Sequence, residues 1–186
     1  MPSPSFWNVP VVILESRIRG ASAASLARFA GRAQRAAGLR GRVSILVTGS
    51  AELRRLNRRY RRKDKATDVL SFAAGGNRVR AGRPHPHVAG DIAISAEVAT
   101  QNARRLGHSA AAEVKILILH GLLHLAGLDH DDARDRGRMS RREETLRRRL
   151  GLPGSLLGRN SGRASRPHPH RSRREGKAGV ARLHTA

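Results

Sequence analysis

The sequence predicts an α+β domain, a small mixed β-sheet of about four strands flanked by helices, with a buried histidine-bearing helix. Three observations lead there. Short stretches with strand character, near residues 9–14, 42–48, 67–72 and 90–95, are interspersed with helix-length segments. One of those segments, 109–126, is apolar around its whole circumference and so belongs in a core. Past Gly151 the chain is Gly, Ser, Pro and Arg with hardly a large apolar residue, and cannot offset its ordering entropy. A chain of 186 residues holds one core and is short for two domains with linkers. Residues 1–151 are therefore read as the folded domain and 152–186 as a disordered basic tail.

Val9 to Leu14 reads as a short strand. Ser22 to Ala37 reads as a helix, because Leu26, Phe29, Ala30 and Ala33 share one face and Gly38 can stop it. RVSILVT, Arg42 to Thr48, alternates as a half-buried strand does. Ser50 is the expected N-cap of a helix running through Leu53 and Leu56 to the region of Tyr60. Thr67 to Phe72 and Gly90 to Ser95 show period two; the intervening Ala73 to Ala89 carries three Gly, two Pro and RPHPH, the signature of a mobile loop. RPHPH recurs at Arg166 to His170, weak grounds for a repeat. A helix follows Ser95 to the region of Leu106, another runs from near Ser109 to Ala126, and Asp131 or Asp132 is expected to cap a last one ending near Leu150.

The formal charge of +23 favours polyanionic partners, nucleic acid, anionic membrane or acidic protein, without choosing among them. Nearly all the cations are Arg in an Ala- and Gly-rich chain, so part of the excess also fits a compositional bias of the source genome. With no cysteine there is neither disulfide framework nor thiolate site, which suits a reducing compartment, and any metal must be held by His, Asp or Glu. The run Val9 to Leu14 falls far short of the roughly 20 residues that span a bilayer and lacks the flanks of a signal peptide. A cytoplasmic protein without a membrane partner is expected.

Three of the nine histidines fall within HGLLHLAGLDH, His120 to His130. On a helix His120 and His124 stand one turn apart on the same face, as two nitrogens for one ion held at about 2.0–2.1 Å require. Gly127 can turn the chain back by adopting a left-handed conformation, and His130 can then be a third ligand. Three protein ligands leave one corner of a tetrahedral ion open, the arrangement of a catalytic zinc. An apolar helix also keeps imidazoles neutral and their lone pairs available. The bland alternative is three separate core histidines, each bonded to backbone. The spacing matches the metzincin pattern H-E-x-x-H-x-x-G-x-x-H, except that Gly121 stands where that pattern has its glutamate base. Glycine costs a helix up to about 1 kcal/mol, which hints at a steric need for close approach there.

HGLLHLAGLDH resembles the H-G-x-L-H-L-x-G-x-D-H signature of the YbeY family, bacterial rRNA maturation factors described as metal-dependent endoribonucleases. LNRRYRRKDKATDVLSF, Leu56 to Phe72, is similar to that family's L-N-x-x-Y-R-x-x-D-x-x-T-D-V-L-S-F segment, and GDIAIS is a third matching block. The resemblance covers the region from Val9 to Leu150. Ala66 and Ala73 stand where the family usually has proline, and Leu128 where it usually has tyrosine, all positions of local stiffness and packing.

The resemblance implies that His120, His124 and His130 hold one Zn2+ ion and that Arg61 is the functional basic residue near it. It implies a single-strand-specific, metal-dependent endoribonuclease in ribosomal RNA processing, small-subunit 3′-end maturation and ribosome quality control. Its partners would be single-stranded RNA, ribosomal RNA and the small ribosomal subunit. The chemistry is compatible, since an ion can generate a nucleophile against a phosphodiester and a guanidinium matches phosphate in a bidentate fork. Arg61 also sits in a run with Arg54, Arg55, Arg58, Arg59, Arg62 and Lys63, and such runs are commonly solvated faces. At 3% aromatic residues, phosphate contacts rather than base stacking should dominate affinity, with steep salt dependence. Asp129 can orient an imidazole or simply turn the chain, and Asp91 can be a site residue or a polar strand start. Two other functions stay open: a zinc metalloprotease-like hydrolase on the same histidines, and a non-catalytic ribosome-assembly factor whose metal is structural.

Overall fold

Strand β1 (Val11–Leu14), helix α1 (Ala23–Ala37) and strand β2 (Arg42–Thr48) open the chain, and the helical crossover leaves the two strands parallel, with Val11 opposite Ser44. The computed structural model describes residues 9–74, 88–128 and 136–154. The chain continues through α2 (Ser50–Arg61), β3 (Val69–Ala73), β4 (Val88–Ser95), α3 (Ala96–Leu106), α4 (Ala110–Leu125) and α5 (Arg136–Arg149). The sheet order is β1-β2-β4-β3; β4 runs parallel to β2, pairing Ser44 with Asp91, and β3 antiparallel to β4, pairing Leu70 with Ala93. This is the mixed four-stranded α+β sheet expected from the sequence.

Alternation along the strands separates two packing layers. Val43, Ile45 and Val47 of β2 and Ile92 and Ile94 of β4 join Leu26, Phe29, Ala30 and Ala33 of α1 and the apolar residues of α4 in the main core. Ala93 of β4 and Leu70 of β3 pack instead with Leu53 of α2, beside Leu56 and Phe72. The helix α4 is buried on nearly every side, through Val114, Ile116, Leu117, Ile118, Leu119, Leu122 and Leu123. At about 1.5–3 kcal/mol for each large aliphatic side chain removed from water, that helix is a principal anchor of the fold.

Serines start most of these helices. Ser22 accepts from the Ser25 N–H at 3.2 Å while the Ser25 hydroxyl accepts from the Ser22 N–H at 2.9 Å, a reciprocal cap. Ser95 and Ser109 cap α3 and α4 by accepting from Val98 and Ala112. Ser50 departs from expectation. Gly49 holds the N-cap position of α2 with no side chain to offer, and Ser50 is the first helical residue. Glu97, from the first turn of α3, supplies the cap by accepting from the Ser50 N–H at 2.8 Å and its hydroxyl at 3.0 Å. A full carboxylate charge at the positive end of α2 does more than a hydroxyl dipole could.

Strand boundaries shift for local reasons. β1 starts at Val11 rather than Val9, since Pro10 has no N–H for a ladder. β3 starts at Val69 rather than Thr67, where the Asp68 carboxylate accepts the Val69 N–H at 2.9 Å. β4 starts earlier, at Val88, and its Gly90 adopts φ 150° where a Cβ would collide with the Phe72 carbonyl oxygen. Leu152 still packs on the main core and donates its N–H to the Arg147 carbonyl at 2.9 Å. Of the tail expected at 152–186, Leu152 is thus part of the folded unit, while residues 155–186, the RPHPH segments and the proposed caps Asp131 and Asp132 lie outside the described residues. No single helix among the described residues is long and apolar enough to cross a membrane.

Candidate metal centre on the histidine helix

His120 and His124 occupy consecutive turns near the C-terminal end of α4, where the apolar jacket opens and both are half-buried. Their rings meet edge to face with centroids 4.7 Å apart, and the two Nε2 atoms approach to 3.1 Å. That separation is close to the edge, roughly 3.3 Å, of a tetrahedron whose ligands lie about 2.0–2.1 Å from its centre. The nitrogens therefore converge as a divalent ion requires, and in a chain without cysteine imidazole is the fitting donor.

The turn expected at Gly127 is present. Gly127 takes φ 85°, its N–H donates to the His124 carbonyl at 2.9 Å, and the Leu128 N–H donates to Leu123 at 3.1 Å. The helix thus ends just past the second histidine, with Gly127 in the left-handed conformation that stops it. His130, the expected third ligand, and Asp129 lie outside the described residues, and among the described residues no group of three His, Asp or Glu is placed to hold an ion.

Gly121 proves to be a packing requirement. A Cβ there would stand 2.9 Å from Cδ1 and 3.0 Å from Cγ2 of Ile92, a side chain only 1% exposed. The position that would carry a metzincin glutamate is thus pressed against β4, which counts against a protease base there. Asp91, next to Ile92, is exposed in β4.

Arg61 is the last residue of α2 and is exposed. The described contacts tie it neither to His120 nor to His124: α2 packs with the Leu70 and Ala93 layer, α4 with the Ile92 and Ile94 layer, and the edge strand β3 lies alongside both helices. Next to Arg61, Tyr60 is 57% exposed and sits edge-on to Phe72 at 5.1 Å.

Sequence reasoning missed Glu143 and Arg147. Glu143 Oε2 lies 3.1 Å from His120 Nδ1, while Oε1 accepts from Arg147 Nε at 3.1 Å and Nη2 at 2.6 Å. Burial alone would raise this carboxyl, but the hydrogen bond with His120, together with the charge and hydrogen bonds of Arg147, outweighs it and holds Glu143 well below the usual carboxylate range. The available signal was the spacing Met139, Glu143, Leu146, which puts a carboxylate on the apolar stripe of an otherwise charged helix. A second buried pair joins His108 Nε2 to Glu113 Oε2 at 3.1 Å, at the other end of α4.

Residues 14–151 match the family model described as endoribonuclease YbeY. The endoribonuclease YbeY of Koribacter versatilis (strain Ellin345) is 53% identical over 151 residues, which cover 81% of this chain and 92% of that protein. The endoribonuclease YbeY of Solibacter usitatus (strain Ellin6076) is 47% identical over 135 residues, covering 73% and 84%. The solution structure of TM1509 from Thermotoga maritima superposes with a TM-score of 0.53 at 21% identity, over 76% of this chain and 88% of that one, a likeness of fold. By that match of the family model, supported by close relatives aligned over most of their length, the chain belongs to the YbeY endoribonuclease family.

Proposed function

We propose that this protein is a zinc-dependent endoribonuclease that cuts single-stranded ribosomal RNA in the cytoplasm, working on the small ribosomal subunit in 3′-end maturation and quality control. The observation that carries the metal centre is the 3.1 Å approach of the His120 and His124 Nε2 atoms, on a family background of endoribonucleases. His120, His124 and His130 would hold one Zn2+ ion. When bound, such an ion supplies Lewis-acid charge and a nucleophile at neutral pH.

The protein residues do the rest. The apolar residues of α4 fix two rings one turn apart, so the donor atoms are in place before any ion arrives. Arg61 is assigned to the scissile phosphate, where its fork offsets charge building on the phosphoryl oxygens. The surrounding arginines of α2 track the RNA backbone without reading sequence, and make affinity fall steeply with salt.

Purified protein should cleave single-stranded RNA and carry close to one zinc per chain. A chelator or His124→Ala should abolish cleavage, with casein left intact in every case. Cleavage that survives both treatments would refute the metal-dependent reading. A folded Arg61→Ala variant with full cleavage would remove Arg61 from the chemistry.

A further inference from the structure

Three features lie outside the proposed mechanism. The His108–Glu113 pair sits roughly 10 Å along α4 from His120, away from the proposed ligands. The open groove lined by Leu128, Arg138, Arg141, Arg142 and Thr145 is basic, yet Arg142 already donates to the Ala36 carbonyl at 3.0 Å and nothing marks a particular strand path. The Glu143–Arg147 pair touches a proposed ligand directly, and its consequences go furthest.

A neutral imidazole carries one N–H, and the nitrogen without it is the one that can bind an ion. Which nitrogen that is depends on what the other faces. His120 Nδ1 faces Glu143 Oε2 at 3.1 Å, and an ionised carboxylate only accepts hydrogen bonds. Nδ1 must then carry the hydrogen, which leaves the Nε2 lone pair directed at the side where His124 Nε2 lies. Both Arg147 donors converge on the other oxygen, Oε1, so the carboxylate cannot swing to share itself differently. The two residues are one helical turn apart on α5, with Glu143 8% and Arg147 4% exposed, so the clamp is preassembled within one element and shielded from water.

The geometry points to Glu143, clamped by Arg147, as the positioning residue that fixes His120 as its Nδ1–H tautomer and so aims Nε2 into the metal centre. This rests on the metal-centre reading proposed above, but its main readout does not.

The direct test is the imidazole nitrogen spectrum of the 15N-labelled, metal-free full chain above the imidazole titration range. His120 should appear as the Nδ1–H tautomer; an Nε2–H ring in the unmodified protein overturns the inference, whether or not any variant folds. In Glu143→Gln the amide oxygen goes to Arg147 and the NH2 faces His120, so the ring should switch to Nε2–H. Zinc affinity, measured by competition with a chromophoric chelator, should then drop about 10–100-fold. Metal-free thermal unfolding checks that the variant is folded. If either the tautomer or the affinity of a folded Glu143→Gln protein stays at its original value, the positioning role is refuted. If the unmodified protein shows the Nδ1–H ring but binds no zinc, the metal-centre reading fails instead.

Discussion

Helices α4 and α2 carry the two halves of the expected site and could hardly differ more in how they hold their polar groups. In α4, Glu113 is fully buried and paired with His108, and the half-buried His120 is paired with Glu143 and His124. In α2 only Leu53 and Asn57 are buried, while Arg54 and Arg55 meet Asp64 and Glu52 on the surface. A polar group inside an apolar helix costs several kcal/mol unless something satisfies it, so its presence there carries information. An arginine on an exposed helix costs almost nothing, and seven cations within the ten residues 54–63 dilute one another as evidence.

The contrast predicts unequal consequences for substitution. His124→Ala should lower zinc affinity by more than the about 10–100-fold typical of losing a partner behind a ligand, with RNA cleavage lost in parallel. Equilibrium dialysis and a gel assay on the same preparation test this; retained zinc would move the ion away from α4. On α2, Arg61→Ala should slow cleavage by about 10²–10³-fold with the fold unchanged, whereas Arg58→Ala should only weaken RNA binding and lessen its salt slope by about 1. Equal losses in the two variants would mean that Arg61 is one cation among many.

Gly121→Ala sets a helix gain of up to about 1 kcal/mol against an overpacking cost of about 1–3 kcal/mol at the buried Ile92. The expected net loss is about 1–2 kcal/mol in urea unfolding, recovered in part by Ile92→Val. A more stable alanine variant would show that β4 yields.

The mildest effect belongs to Glu97. The hydrogen bond from its own N–H, against a small burial cost, and those from Ser50 and Ser95 hold its carboxyl below the ordinary 4.5. A carboxyl depressed on folding stabilises above its unfolded value and loses that contribution as pH falls through the folded one. The stability gap between the protein and Glu97→Gln should therefore be constant near neutrality and shrink as pH drops below about 4.5, with a size under about 1 kcal/mol at this exposed position. A gap that widens in acid would contradict the cap.

What could be read from the chain was what depends on near neighbours. The strand Arg42–Thr48 is legible from alternation, the body and stop of α1 from its apolar face and Gly38, and the shared face of His120 and His124 from helical period, while Ser22, read as the first helical residue, is the cap before it. What escaped depends on distant partners. The cap of α2 comes from 47 positions away, and the Glu143 contact to His120 from 23. In α5, a segment rich in Arg and Glu, nothing local distinguishes a buried ion pair from a solvated one; only docking against α4 does. The placement of α2 and α4 in different packing layers likewise follows from the sheet order, which short-range patterns do not encode.

Because Glu97 lies in the opening turn of α3 and also closes the open end of α2, the helix bearing Arg61 is tethered at its far end to the helix that leads into α4. Loosening that tether would let the arginine wander while leaving the imidazoles where they are. If Arg61 acts as proposed, turnover would then depend on a surface carboxylate that belongs to neither α2 nor α4.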